Sequence, residues 1–396
     1  MRSNLGFQCH TVIGDYLYFS SFCGNGLFRY KGNSVEHVGN FNEEGAKLFS
    51  DAKKYKERIY FVPLTASQIY FYDSETEVIS SIEYGHKGLG DFIVSILEDN
   101  ILYMFPSYYP GIMVLNLDTH EIRVVDDWIN VELERCRISE DAYFRGDYVR
   151  EGDVVYFPFC NAHAVLEFHL DDRRSIIHDV GTQGYSTIAS DGSRFWMAPR
   201  KTGAIVSWDP ITSETTEYQG FPEGFSQGGF VGSFYEKGYI WMFPETANKV
   251  LKVDTHTNRI TEDELFSGIC GHKWVGCSLW NAAFVYMRKE GEKVLLCTGR
   301  SGEVVIFRPD TYEIESFWLR LSKEDALQYQ EAPDERYILF RNKKIRGKFS
   351  HESHRYDIGG YAEYIADCGE YIEECIAESR NRTGSDIGRS IYESIV

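Results

Sequence analysis

The sequence has 396 residues, of which 43% are hydrophobic and 26% charged, and its formal net charge is −19. An acidic chain without a basic run lacks the lysine and arginine that nucleic acid or an anionic membrane surface requires, so we predict neither partner. No apolar run approaches the roughly 18 residues of a membrane span. No apolar signal core follows Met1, and the nine cysteines are scattered. We therefore expect a cytoplasmic protein with reduced thiols.

A pair of strands recurs along the chain. An aromatic strand that ends in Pro occurs four times, at residues 60–63, 103–106, 196–199 and 241–244, with a shortened copy at 156–158. A second apolar strand follows each Pro and ends at an Asp, whose carboxylate we expect to accept backbone N–H bonds in the turn that it opens. These residues are Asp73, Asp118, Asp171, Asp209 and Asp254, with a sixth copy at Asp310.

A short turn precedes each aromatic strand, and seven such hairpins are present between residues 7 and 321. Seven units of four strands have a period of about 45 residues, which is typical of solenoids and propellers. Short antiparallel strands favour the propeller. We therefore predict an all-β fold, a seven-bladed β-propeller of four-stranded antiparallel blades over residues 1–321. Aromatic side chains of the second strands should occupy equivalent positions between blades: Tyr60, Tyr103, Tyr156, Trp196 and Trp241.

One stretch also carries a family resemblance. The run from Ala247 to Thr257, with Leu251-Lys252-Val253-Asp254 at its centre, resembles blades of bacterial virginiamycin-B-lyase-like and Kelch-like propellers. Their third strand likewise ends in an apolar residue followed by Asp. The resemblance is to single blades, so it implies the fold and gives the blades a lyase-like character without specifying a reaction.

The last 75 residues differ from the repeat. We predict an irregular charged linker over residues 322–354, with a candidate edge strand at 337–341, and a small α-helical extension over 355–396. Apolar residues between Tyr361 and Ile376 recur at intervals of three and four, which indicates one face of an amphipathic helix. That face could pack on the propeller, on a partner, or on a second copy of the chain to form a homo-oligomer.

Candidate ligand-binding residues lie in the loops between second and third strands. In propellers these loops gather with the interblade segments on one face around the channel. They are rich in arginine and lysine for an acidic protein, so we predict a pocket for a small anionic or polar ligand. The alternative is that exposed loops are polar for solubility alone. The residues we assign to ligand binding are Asn25, Asn161, Arg200, Lys201, Lys249 and Arg300.

Candidate catalytic residues fall in the same segments. Histidine beside Glu or Tyr is the usual equipment for acid–base chemistry, and the candidates are His10, His163, His272, Glu245 and Tyr109. We predict no cofactor, because no phosphate-binding loop or dinucleotide fingerprint is present. A divalent metal held by His and carboxylates is an alternative. We assign no zinc site to Cys270–Cys277, whose spacing is not that of a zinc knuckle.

Two classes of function remain open from the sequence. The first is a binding or scaffold protein that captures a ligand or a protein partner on the propeller face, beside a biosynthetic or modifying enzyme. The second is a lyase, epimerase or hydrolase acting on a polar or anionic small molecule, sugar or peptide at the channel mouth.

Overall fold

The computed structural model describes residues 4–22, 24–32, 34–86, 90–129, 142–270, 282–299, 302–322 and residue 325. All of them belong to the first of two compact units into which the chain divides. The predicted helical extension, and nearly all of the linker before it, lie outside the described residues. In the part of the chain that is described, no helix is long and apolar enough to cross a lipid bilayer.

Seven four-stranded antiparallel sheets are arranged in a ring, as the repeat predicts. Consecutive strands of each blade are hydrogen-bonded neighbours. Blade 1 consists of β2 (Phe7–Ile13), β3 (Tyr16–Ser21), β4 (Gly26–Lys31) and β5 (Ser34–Asn40), and blade 2 of β6 (Phe49–Tyr55), β7 (Arg58–Pro63), β8 (Ile69–Asp73) and β9 (Val78–Ile82). Blade 3 consists of β10 (Phe92–Glu98), β11 (Ile101–Pro106), β12 (Ile112–Asn116) and β13 (Ile122–Val125), and blade 4 of β14 (Val149–Glu151), β15 (Val154–Pro158), β16 (Ala164–His169) and β17 (Ser175–Asp179).

Blades 5 to 7 continue the same order. Blade 5 consists of β18 (Tyr185–Ser190), β19 (Phe195–Pro199), β20 (Ile205–Trp208) and β21 (Thr215–Tyr218). Blade 6 consists of β22 (Phe230–Glu236), β23 (Tyr239–Pro244), β24 (Leu251–Asp254) and β25 (Ile260–Glu262). Blade 7 consists of β26 (Phe284–Glu290), β27 (Lys293–Thr298), β28 (Glu303–Arg308) and β29 (Glu313–Arg320). A 3₁₀ turn (Glu264–Phe266) and a one-turn α-helix (Ser267–Cys270) follow β25.

The ring closes at blade 7. A two-residue strand, β1 (Asn4–Leu5), pairs antiparallel with β29, which places Leu5 opposite Leu319. Both leucines are buried. Because the chain runs from β1 directly into β2, this pairing joins the last blade to the first.

The second strand of each blade is apolar on both faces because it lies between two neighbouring blades. In β11, Leu102 and Met104 pack against blade 2, whereas Tyr103 and Phe105 pack against blade 4. Successive side chains of a strand point to opposite faces, so a continuous apolar run serves two interfaces. The predicted aromatic positions are confirmed, since each of the five side chains packs against the following blade: Tyr60, Tyr103, Tyr156, Trp196 and Trp241.

The predicted Asp turns are correct in blades 2, 5 and 6. The Oδ1 atoms of Asp73, Asp209 and Asp254 each accept backbone N–H bonds from the residues two and three positions later. In blade 3 the prediction is wrong by two residues, because Asn116 and not Asp118 makes these bonds. Asp118 instead binds cations and hydroxyls of the neighbouring blade.

A second marker fixes the true repeat position in these turns. A non-glycine residue with positive φ lies in this turn in six blades, four positions after the end of the third strand in five of them and five positions after it in blade 5: Glu77, His120, Arg173, Ser213, Asn258 and Tyr312. Counting back four residues gives the equivalent positions Asp73, Asn116, His169, Asp209, Asp254 and Arg308. The predicted Asp171 and Asp310 are therefore also two residues past the repeat position.

Candidate functional site

The first strands of the seven blades surround a central cavity of about 610 Å³. In six blades the register between the first and second strands shifts directly after the first residue of the first strand, which marks a β-bulge. Bulges re-aim side chains, and here several residues that follow this position line the cavity: Gln8, Ser50, Ile93, Val231 and Val285. Arg145 takes this place in blade 4. The preceding position is a buried aromatic residue in every blade: Phe7, Phe49, Phe92, Phe144, Tyr185, Phe230 and Phe284.

Arg145, which lines this cavity, contacts Glu245 in the loop after β23, and Arg200 lies near Glu245; we call this end of the cavity its mouth. Nη2 of Arg145 lies 2.5 Å from Oε2 of Glu245. Glu245 directly follows β23, and its backbone N–H donates to the carbonyl of Gly229 at 2.9 Å. Arg200 occupies the same place after β19 and donates to the carbonyl of Gly184 at 2.8 Å. Arg200 and Glu245 are thus equivalent residues of adjacent blades.

Gly229 makes room for this arrangement. A Cβ atom there would lie 3.3 Å from Oε2 of Glu245 and 3.5 Å from Nη1 of Arg200. A side chain at this position would therefore press on the Glu245 carboxylate and touch the Arg200 guanidinium. Glycine leaves Arg200 and Glu245 close together at the start of β22.

The charges at the mouth are unequal. Burial by itself would raise the pKa of Glu245, but Arg145, with Arg200 and Lys47, holds that pKa below its ordinary value. The Glu245 carboxylate in turn raises the pKa of Arg145. We call Lys47, Arg145, Arg200 and Glu245 the mouth cluster. Three of its members are cations and one is an anion, in a chain whose net charge is strongly negative.

Deeper in the cavity, Asp51 is a buried carboxylate with its charge balanced. It is 4% exposed, and it contacts Nζ of Lys53 at 2.8 Å and Nη1 of Arg288 at 3.4 Å. Ser95 of the next blade donates to Oδ2 from its backbone N–H at 2.9 Å and from its hydroxyl at 2.8 Å. Burial opposes ionisation, yet the two cations and these bonds hold the pKa of Asp51 at about 2.

Asp147 also lines the cavity but has neutral partners. Its Oδ2 accepts bonds from the backbone N–H of Ile188 at 3.1 Å and from the N–H and hydroxyl of Ser233, each at 2.9 Å. Burial raises the pKa of Asp147 to about 7, against the lowering effect of these hydrogen bonds. The two aspartates of one cavity therefore have opposite pKa shifts.

The predicted acid–base residues are not gathered at the mouth. His10 is fully buried, between the hydroxyl of Tyr286 at 2.9 Å and Oε1 of Glu290 at 3.1 Å. His163 pairs with Asp179 of its own blade at 2.6 Å. Both interactions tie elements of the scaffold together. For these histidines the structure favours a structural role.

Tyr109 is buried in the loop between β11 and β12, with its ring centroid 4.8 Å from that of Phe92. It therefore packs in the apolar core between blades 2 and 3 and is not among the residues that line the cavity. Of the predicted catalytic residues, His272 lies outside the described residues. Glu245 is the one that the described part of the structure places at the mouth.

The predicted ligand-binding residues are dispersed in the same way. Asn25 donates to the carbonyl of Phe41 at 3.2 Å, and Lys249 is paired with Glu262. Asn161 is fully buried, and Lys201 is exposed. Arg300 lies outside the described residues. Arg200 is the predicted ligand residue that joins the mouth cluster.

Sequence reasoning missed Arg145 and Lys47, as well as the two cavity aspartates. These residues belong to interblade segments and first strands, whereas the prediction drew mainly on the loops after second strands. The available signal was the aromatic residue that opens the first strand in six blades and precedes it in blade 4. Arg145 directly follows that residue, Phe144, in blade 4.

Among the described residues, one group has the ligand atoms for a metal ion. Side-chain atoms of His169, Asp171 and Asp172 lie within 4.8 Å of one another. However, Nη2 of Arg174 lies 3.1 Å from Nε2 of His169, and its Nε is 3.7 Å from Asp172. A guanidinium therefore already supplies positive charge there, and the group is in the turn after β16, not in the mouth cluster.

Comparison with solved structures places the fold among known propellers. The chain shares the fold of virginiamycin B lyase. The structure of that enzyme from Staphylococcus aureus with quinupristin superposes with a TM-score of 0.55 at 12% identity, covering 77% of this chain and 95% of that one. A streptogramin B lyase structure gives 0.52 at 12% identity, covering 80% and 95%.

A computationally designed protein is similar to the same degree. It gives a TM-score of 0.52 at 8% identity, with 79% of this chain and 87% of that one covered. No known protein family matches the sequence, and no curated protein matches it either. At these identities the likeness establishes the fold alone, so function has to be argued from the site.

Proposed function

We propose that this propeller is a binding protein that takes a small anionic molecule into the mouth of its central channel. The observation that carries the proposal is the mouth cluster, in which Lys47, Arg145 and Arg200 surround Glu245. It gathers three cations around one carboxylate, in a chain whose net charge is −19.

The chemistry of the cluster suits a carboxylate or phosphate. Guanidinium groups present several N–H donors in a fixed plane and form strong, geometrically specific bonds with such anions. The Arg145–Glu245 pair also fixes Arg145 before any ligand arrives. Walls of low dielectric constant around the cavity focus the field of the cations and raise the local concentration of an anionic ligand.

Among the described residues, the predicted acid–base groups other than Glu245 lie in the scaffold, which favours binding over catalysis. His10, His163 and Tyr109 all have structural partners away from the cluster. Glu245 is held ionised by Arg145, which suits it to orient the cation and not to donate a proton. In this role the protein would serve as a scaffold beside an enzyme that makes or modifies the ligand.

The test is a panel of small organic anions, comprising mono-, di- and tricarboxylates and phosphate monoesters. Binding to the full chain is followed by thermal shift and then by calorimetry. We expect at least one anion to bind, and we expect Arg200→Gln to weaken it about tenfold or more. Arg174→Gln is the matched control, because it removes an exposed arginine far from the cluster.

Two results would count against the proposal. One is that no anion of the panel binds the wild type. The other is that Arg200→Gln and Arg174→Gln bind the anion equally well. A large loss of thermal stability in Arg200→Gln without ligand would instead assign Arg200 to the scaffold.

A further inference from the structure

Asp51 and Asp147 have the same arrangement of hydrogen bonds in the channel wall. Each carboxylate accepts bonds from the backbone N–H and the hydroxyl of a serine in another blade, Ser95 for Asp51 and Ser233 for Asp147. The arrangement ties blades together around the cavity. The surroundings of the two carboxylates can therefore be compared directly.

The two carboxylates differ in whether a cation balances their charge. Lys53 and Arg288 both reach Asp51. For Asp147, the described residues supply hydrogen-bond donors from Ile188 and Ser233, all of them neutral, and no ion pair with Lys, Arg or His. Asp147 is thus a cavity-lining carboxylate whose charge the described protein does not balance.

Asp147 is also close to the mouth cluster along the chain. One residue, Gly146, lies between Asp147 and Arg145, so their two Cα atoms are at most about 7 Å apart. Both side chains line the same cavity. A cation of the mouth cluster and the wall carboxylate therefore stem from neighbouring backbone positions in one cavity.

We propose that the ligand of this channel carries an ammonium group as well as its anionic group, and that Asp147 binds the ammonium. This inference rests on the proposed function, because it assigns the anionic end of the ligand to the mouth cluster. The ligand class is a small amino acid or another compact molecule with an amine and an acid group.

The energetics support this pairing. An ionised carboxylate without a counter-charge is costly where it is withdrawn from water, and the raised pKa of Asp147 reflects that cost. A ligand ammonium would supply the charge that Lys53 and Arg288 supply to Asp51. The same ligand would then satisfy both charged regions of the cavity.

The experiment compares matched probes on the full chain by calorimetry. One series contains free α-amino acids and short ω-amino carboxylates. The other contains their N-acetyl derivatives, which keep the carboxylate and lose the positive charge. We expect at least one free amino acid to bind about tenfold or more tightly than its N-acetyl derivative. This comparison needs no mutant, so it holds even if a variant fails to fold.

The variant Asp147→Asn then assigns the preference to one side chain. Asparagine keeps an oxygen that can accept from Ser233 but has no charge. We expect Asp147→Asn to weaken binding of the free amino acid to the level of its N-acetyl derivative. The affinity for the derivative should be unchanged. Arg200→Gln should weaken both probes, and Asp172→Asn, at an exposed carboxylate, should weaken neither.

The outcomes separate this inference from the function on which it rests. If anions bind through Arg200 but free and N-acetylated amino acids bind equally, the ammonium site is wrong and anion binding stands. If free amino acids bind through Asp147, while Arg200→Gln does not weaken them and no N-acetyl derivative binds, the proposed function is wrong. If no probe of either series binds, both are wrong.

Discussion

Asp51 and Asp147 lie in one channel wall and both accept bonds from a serine of another blade, yet their surroundings move their pKa values in opposite directions. The reason is that Lys53 and Arg288 reach Asp51, whereas the described partners of Asp147 are neutral. The same substitution, Asp to Asn, should therefore have opposite effects at the two positions.

Asp147→Asn should stabilise the protein at high pH. The pKa of Asp147 is about 7 in the folded protein and lower in the unfolded chain, so its contribution to stability is lost as pH rises through about 7. Asparagine does not titrate. Denaturant unfolding at pH 5 and pH 8 measures the free energy of unfolding of both proteins. The difference between variant and wild type should shift in favour of the variant by on the order of 2 kcal/mol from pH 5 to pH 8. An equal difference at both pH values would contradict this.

Asp51→Asn should destabilise the protein at pH 7. Removing the carboxylate leaves Lys53 and Arg288 withdrawn from water without their partner, and breaking a buried ion pair in this way costs about 3 kcal/mol. The pKa of Asp51 is about 2, below its unfolded value, so the stabilisation should be present at neutral pH and lost in acid. Unfolding free energies of wild type and variant should converge as the pH falls through about 2. A neutral effect at pH 7 would be the contrary result.

At this scale the sequence predicted part of the site. Arg200 and Glu245 were identifiable because they follow the Pro that ends each second strand. Arg145 and Asp147 were not, because their segment before β14 lacks that marker and a bulge position cannot be counted before the strand ends are known. The partner of His10 is 280 residues away at Glu290, which no local pattern reveals.

At the scale of the strand and the turn, the aromatic second strands carry the interblade packing. Trp196 is fully buried between blades 5 and 6. Trp196→Ala should therefore lower the free energy of unfolding by about 3–5 kcal/mol. Trp318→Ala is the control, since Trp318 is 42% exposed on β29, and it should cost much less. Similar losses in the two variants, measured by denaturant unfolding, would argue against the interblade assignment.

The turn in blade 3 gives a second test at this scale. Asn116 accepts the backbone N–H bonds that Asp73 accepts in blade 2. Asn116→Ala should therefore cost about 1 kcal/mol. Asp118→Ala removes exposed interactions with Lys56 and the Tyr55 hydroxyl and should cost less. The reverse order of the two effects would restore Asp118 as the repeat position.

Strand composition predicted the second strands well, whereas turn composition predicted the repeat position in the turns less well. Apolar runs such as that of β11 are constrained by two interfaces, so they persist in every blade. A turn needs only an acceptor for two N–H groups, which Asn116 satisfies as well as Asp73 does. An Asp two residues later, such as Asp118, then resembles the repeat without belonging to it.

For the whole molecule, the sevenfold repeat predicted the architecture, because each blade needs the same apolar strand and the same hairpin. The channel was less predictable, since its lining comes from seven first strands that are distant in sequence. Gln8 of β2 and Val285 of β26 are neighbours in the wall through closure of the ring. The function depends on this lining, and so it follows from the closed ring and not from any one blade.

The most direct measurement is a crystal structure of the full chain with the tightest anion found in the binding panel. The account predicts that the anion lies at the channel mouth, with its oxygen atoms within hydrogen-bond distance of Arg145 or Arg200. An anion bound elsewhere, for example at Lys289 at the other end of the first strand, with the mouth cluster unchanged, would contradict it.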